Sequence, residues 1–149
     1  MVATTTPISA CDVSLWLDDL SGSLTDISGS SNQLDMNFTQ NIGEVMVFQS
    51  RWPTRQECGK DAAITIQVIY STAADEGFDL LKKWYFATSP GARTFNAFIP
   101  DKNVGSDKYS GEVRLAGFNF TASREEAGPV IVSMELLPDG EFCHTTAST

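Results

Sequence analysis

Apolar and polar residues alternate along most of this chain, with the period of two that marks strands burying one face. From Asp12 to Asp18, Val13, Leu15 and Leu17 share one side. Ser21-Gly22-Ser23 has turn chemistry, and Leu24 to Ile27 reads as a short returning strand that Ser28 to Asn32 breaks. Alternation resumes with Leu34, Met36 and Phe38 predicted inward. Arg51 to Glu57 reads as a short strand interrupted by Pro53, which suits an edge. Gly59-Lys60-Asp61 is predicted to turn into Ala62 to Tyr70, the strongest strand pattern in the chain. Further strands are predicted at Thr94 to Ile99, Glu112 to Phe120 and Val130 to Leu137, with a short segment at Glu141 to Cys143. Within Glu112 to Phe120 the phase slips: Val113 and Leu115 have one parity, Phe118 and Phe120 the other. A β-bulge at Ala116-Gly117 would return both pairs to the same face.

One stretch has helical spacing instead. Ala74, Phe78, Leu81 and Tyr85 recur at four, three and four residues, and Trp84 widens the stripe. Thr72 to Asp75 supplies an N-cap with an acid at N3, while Lys82 and Lys83 suit the C-terminal end of the dipole. The pattern predicts a helix from about Thr72 to Phe86 with Phe78, Leu81 and Tyr85 packed on the sheets. The expected fold class is therefore α+β, mainly β: two packed antiparallel sheets, as a sandwich or barrel, with one flanking helix.

The segment from Asn41 to Ser50 fits neither period, yet it carries Ile42, Val45, Met46, Val47 and Phe48, with Trp52 just beyond. Long irregular loops are uncommon unless functional, and a contiguous exposed apolar patch invites association. We read residues 41–52 as a long loop contacting another subunit through these six side chains, with Glu44 and Arg51 nearer the rim. The competing reading is a further core strand broken at Gly43.

Length and charge narrow the function classes. The 149 residues suit a single domain, residues 1–149, with an N-terminal arm over 1–10 and a polar tail over 144–149. Ten basic against nineteen acidic side chains give a net charge of −9, which argues against gripping nucleic acid through its phosphates. No apolar run is long enough for a membrane-spanning helix, and the first residues lack the basic and apolar regions of a signal peptide. Cys11, Cys58 and Cys143 are widely separated and are expected to be reduced, partly buried thiols.

Candidate chemistry is sparse. There is no G-x-S-x-G elbow, and the sole histidine, His144, falls in the Thr/Ser-rich tail, where a solvated role is expected. Glu125-Glu126 flanks a Gly-Pro turn, with nothing to raise a carboxyl pKa. Asp101, Asn103, Gly105, Asp107 and Glu112 have some of the spacing of a calcium loop, but Ser106 stands where the obligatory glycine belongs. Asn37-Phe38-Thr39 and Asn119-Phe120-Thr121 are formal glycosylation sequons within predicted strands, expected by chance. No catalytic set, metal site or cofactor is predicted.

Several short motifs follow one another in a fixed order: Asp26 to Asn32; Trp52-Pro53 with Arg55; Lys60-Asp61-Ala62 with Ile64; Tyr70 to Ala74; and Leu80-Leu81 with Trp84-Tyr85-Phe86. Pro100 to Asn103, Gly105 to Asp107, Tyr109 to Val113 and Leu136 to Gly140 complete the series. Taken together, over roughly residues 12–141, this collinear set resembles bacteriophage tail tube (major tail) proteins of long-tailed phages. The resemblance implies six-membered rings stacked into a tube, with one sheet of each subunit lining a bore. That bore holds the tape measure protein during assembly and later passes double-stranded DNA without specific binding. Tail terminator and tail tip proteins are the further partners implied, with assembly in the host cytoplasm, a final place in the virion tail and no membrane. In such a tube the helix would lie outside the bore, and strand parity would turn Asp35, Asn37 and Glu135 toward the lumen. Acidity would then keep DNA from adhering to the wall. A β-sandwich binding or adhesion module of a virion is the alternative class, and the tube protein of a bacterial injection apparatus is a variant of the first.

Overall fold

A computed structural model describes residues 8–19, 21–74, 76–99, 105–125 and 127–147. In chain order the strands are β1 (Ser14–Asp18), β2 (Leu24–Asp26), β3 (Ser31–Val45) and β4 (Thr54–Ile69). Helix α1 (Gly77–Tyr85) follows, then β5 (Arg93–Ile99), β6 (Asp107–Phe120), β7 (Ile131–Pro138) and β8 (Cys143–Thr146). The α+β, mainly β class is as the alternation predicts. The strands form one continuous antiparallel sheet, where two packed sheets were expected. Its order is β2-β1-β5-β6-β7-β4-β3, with β8 on β6.

The sheet curls strongly. Phe38 on β3 and Tyr109 on β6 lie three strand spacings apart along the sheet, about 14 Å if laid flat. Their ring centroids are 5.9 Å apart. A single curled sheet therefore encloses its own core. Leu15 and Leu17 of β1 join Ile64, Ile66 and Val68 of β4, Phe95 of β5 and Met134 and Leu136 of β7 in one buried cluster. Helix α1 covers it with Phe78, Leu80, Leu81 and Trp84.

The predicted bulge is present: β6 slips register against β7 between Leu115 and Gly117, leaving Ala116 unpaired there. Val113 is fully buried, and Leu115 and Phe118 both pack on the same core, as the parity argument required.

Several expectations are corrected. The helix begins at Gly77, five residues after Thr72, and Thr72 to Ala74 are exposed. Asp75, the predicted N3 acid, lies outside the described residues. Tyr85 is about half exposed and meets Phe118 edge-on, so the packed stripe consists of Phe78, Leu81 and Trp84 with Leu80. Gly59-Lys60-Asp61 does not turn; β4 passes through it, with a register shift opposite Asn41 and Ile42 that leaves Cys58 unpaired. Pairing along β3 supplies the hydrogen bonds that local turn propensity would have supplied.

The tail is also ordered through residue 147. His144 lies in β8, its Nε2 2.9 Å from Asp107 Oδ1 and its ring beside Tyr109. Ala147 is buried, its amide donating to the Ser106 carbonyl at 2.8 Å. Residues 1–7 of the expected N-terminal arm and 148–149 of the tail lie outside the described residues.

At one end of the core the buried Arg93 guanidinium sits 5.0 Å from the Trp84 ring centroid and donates to the Asp18 carbonyl. Burial lowers its pKa from the ordinary arginine value, opposed by the charges of Asp18 and Asp19. Trp84 Nε1 donates to the carbonyls of Pro90 and Gly91, so neither polar group is left unsatisfied at that wall.

Candidate assembly interface

The segment expected to be an irregular loop is half strand. β3 continues through Ile42 to Val45, paired with β4 down to Val45–Thr54. Gly43 therefore does not break it, and the core-strand reading fails as well, because residues 37–45 are all exposed. β4 keeps its second neighbour, β7, no farther than Ile64–Leu136. Beyond that row β3 and β4 run on as a two-stranded arm for nine residues, about 30 Å. An isolated hairpin is marginal in water. This one holds the Glu44–Arg55 ion pair (3.5 Å), which is exposed and contributes little.

The tip joins the strands over residues 46–53. Ser50 N donates to the Val47 carbonyl at 3.3 Å, and Gln49, third in that turn, has φ 73°, a left-handed conformation better suited to glycine. Ser50 Oγ donates to the Trp52 carbonyl at 2.8 Å, closing the other side. The turn thrusts Phe48 outward until it is wholly exposed (102%), and Trp52 is 81% exposed. Val45, Met46 and Val47 are each more than half exposed around them. The structure thus brings five of the six predicted contact residues together at the tip. Ile42 is set apart along the arm, exposed, opposite Glu57.

The three predicted lumen residues fall on the sheet face away from the core. Asp35 pairs with Thr65, and Thr65 with Glu135, so these three make one row across β3, β4 and β7. The adjacent row is Gln33, Gln67, Ser133 and Asn119, and Asn37 lies opposite Ala63. Asp35 and Glu135 have no ion-pair partner among the described residues. Arg114, of the same outward parity on β6, is bound to Asp139 at 3.0 Å. The part of the outer face formed by β3, β4 and β7 is polar, and Asp35 and Glu135 place unpaired negative charge on it.

Phe38 departs from expectation: predicted inward, it is half exposed, its ring near Tyr109 and Phe142. With Phe142 and Pro138 it lines a groove at the base of the arm. Period-two reading had no signal for this groove, because its far wall is the turn between β7 and β8, through Gly140, Glu141 and Phe142.

Of the candidate chemistry, Asp101 and Asn103 lie outside the described residues. Glu112 accepts a hydrogen bond from the Thr94 hydroxyl, and Asp107 from His144 if that ring nitrogen is protonated. Among the described residues no three of His, Cys, Asp and Glu converge as metal ligands, and no helix is long and apolar enough to cross a membrane. All three cysteines are free; Cys11 and Cys58 are exposed rather than partly buried. Partial desolvation, with the Glu141 charge second, raises the Cys143 thiol above its ordinary pKa.

The structure is thus a curled antiparallel sheet closed by one helix, with a projecting hairpin whose tip is apolar and exposed. The same architecture occurs in tail tubes. The chain superposes on the tail of an empty gene transfer agent particle of C6 symmetry with TM-score 0.68 and 17% identity, covering 92% of this chain and 98% of that one. For the SPP1 tail tube the values are 0.73 and 15%, covering 96% and 81%. For a chain of the anti-feeding prophage baseplate they are 0.75 and 8%, covering 98% and 100%. No family model and no curated protein sequence matches the chain. The fold is that of tail tube proteins.

Proposed function

We propose that this chain is a structural tail tube protein: six copies form a ring, rings stack into the tube of a phage tail, and double-stranded DNA passes through the bore. The observation that carries this reading is the arm, which extends about 30 Å past its last flanking strand and ends in wholly exposed Phe48. Such a surface is stable in water when a permanent partner covers it, and obligate interfaces are correspondingly apolar. Ile42, Val45, Met46, Val47, Phe48 and Trp52 are the inter-subunit contacts in this reading.

The acidic outer row lines the bore. Asp35 and Glu135, with Asn37 beside them, face passing DNA, and like charge lets the polyanion slide without adhering. Catalysis is not part of this role. The tape measure protein, a terminator and tip proteins are its partners, and its place is the virion tail after assembly in the host cytoplasm. The fold is shared with tubes of contractile injection systems, so a tube of that kind is the second reading.

Negative-stain electron microscopy of the purified protein tests the assignment. Rings or tubes at raised concentration are expected, and a reconstruction should place Asp35 and Glu135 on the inner wall. Discrete monomers at every concentration would overturn the tube, whereas carboxylates on the outer wall would overturn the lumen assignment alone.

A further inference from the structure

The groove at the base of the arm has a shape and charge that point to an occupant. Phe38, Pro138 and Phe142 supply its apolar lining, and Lys60, Asp61 and Glu141 its charges, around a volume of about 460 Å³. That is within the range of sites that bury an aromatic group. Its charge balance is acidic, two carboxylates against one ammonium. The hairpin tip is the complement: an apolar knob whose one charged residue over positions 46–53 is Arg51.

The tip cannot reach the groove of its own chain. Phe38 is seven paired residues back from Val45, about 23 Å along a ladder that must stay straight to remain paired. We propose that the groove receives the hairpin tip of a second copy of this chain, with Phe48 inserted beside Phe38 and Phe142 and Arg51 facing Asp61 and Glu141. This rests on the tube reading and adds to it the receiving surface.

Knob and socket are different patches, so a copy whose tip fills one neighbour still offers its own groove to another, and copies can be joined head to tail. Such contacts close into rings or continue as filaments. Aromatic anchors seated in pockets dominate interface energies, while charges at the rim set register.

The test uses the full chain with a benzophenone amino acid in place of Phe48, irradiated under assembling conditions, with cross-links located by mass spectrometry. Cross-links to residues 38–40 or 138–142 of another copy are expected. In parallel, Arg51→Glu and Glu141→Arg should each raise the concentration needed for assembly about tenfold, and the double variant should recover most of the loss. Circular dichroism confirms that each variant is folded. Polymers whose cross-links fall elsewhere, or a double variant no better than the singles, would overturn the groove and leave the tube intact. Absence of polymers from the unaltered chain would remove the tube reading and this contact with it.

Discussion

Ser30 Oγ accepts a hydrogen bond from the Gly77 amide at 3.1 Å, so a hydroxyl 47 residues away in sequence caps the first turn of α1. The local cap residue, Glu76, makes no side-chain cap bond. Gly77 allows the approach: a Cβ there would lie 3.2 Å from Ser30 Cβ and 3.3 Å from Val68 Cγ1. Ser30→Ala should cost about 1 kcal/mol, as loss of an N-cap does, and lower the melting temperature by roughly 3 °C. An unchanged melting curve would show that water replaces the hydroxyl.

Leu81 and Tyr85 lie one turn apart on α1 but differ in burial, at 0% and 49% exposure. Leu81→Ala removes fully buried atoms and should destabilise the subunit by about 2–5 kcal/mol. Tyr85→Ala loses two edge contacts, with Phe118 and Phe86, at a half-exposed site and should cost less, about 1–2 kcal/mol. Denaturant melts of the two variants give the comparison, and equal losses would contradict the packing described here.

Gly111 is where β6 meets the approach to β8. A Cβ at that position would stand 2.8 Å from Phe142 Cδ2, 3.1 Å from the Glu141 carbonyl and 3.2 Å from Phe142 Cα. Two of those three neighbours are backbone atoms, which cannot rotate away. Gly111→Ala should therefore cost about 1–3 kcal/mol, concentrated where β8 docks. Hydrogen exchange should quicken at residues 143–147 while the β4–β7 ladder keeps its protection.

Asp19 organises the turn between β1 and β2. Its carboxylate accepts from the Ser21 hydroxyl at 2.7 Å and from the Ser23 and Ser21 amides at 3.0 and 2.8 Å. The Ser21 hydroxyl contributes most to holding its pKa below the ordinary 3.8, followed by the Ser23 amide; desolvation opposes the shift. A depressed folded pKa means that this stabilisation is complete above the unfolded value and is lost as pH falls through the folded one. The turn should loosen on acidification below about pH 4. An NMR titration of the Asp19 carboxyl should give a midpoint under 3.8, and Asp19→Asn should remove this step from the acid response of the Ser21 and Ser23 amides.

Replacing Val45 to Phe48 with Gly and Ser removes the apolar tip without touching the core cluster. The subunit should keep its circular dichroism spectrum and lose polymerisation. Loss of the fold itself would show that these side chains support the sheet and would sink the interface reading.

The pattern along the chain determined what depends on neighbours in sequence. Period two located β1 through Leu15 and Leu17, and the parity switch between Leu115 and Phe118 located the bulge at Ala116. Spacing found the helix through Phe78 and Leu81, and the apolar content of residues 42–48 marked the segment whose side chains the structure leaves exposed. Tertiary structure decided what depends on a partner distant in sequence. Asn41 to Val45 and Gly59 to Asp61 became strand because β3 and β4 supply each other's hydrogen bonds, overriding local turn signals. The helix start moved to Gly77 because its cap is Ser30. Phe38 turned to a groove, and His144 into a strand, because the sheet curls back and brings β8 onto β6. Alternation states which side of a strand is apolar; curvature decides what that side meets.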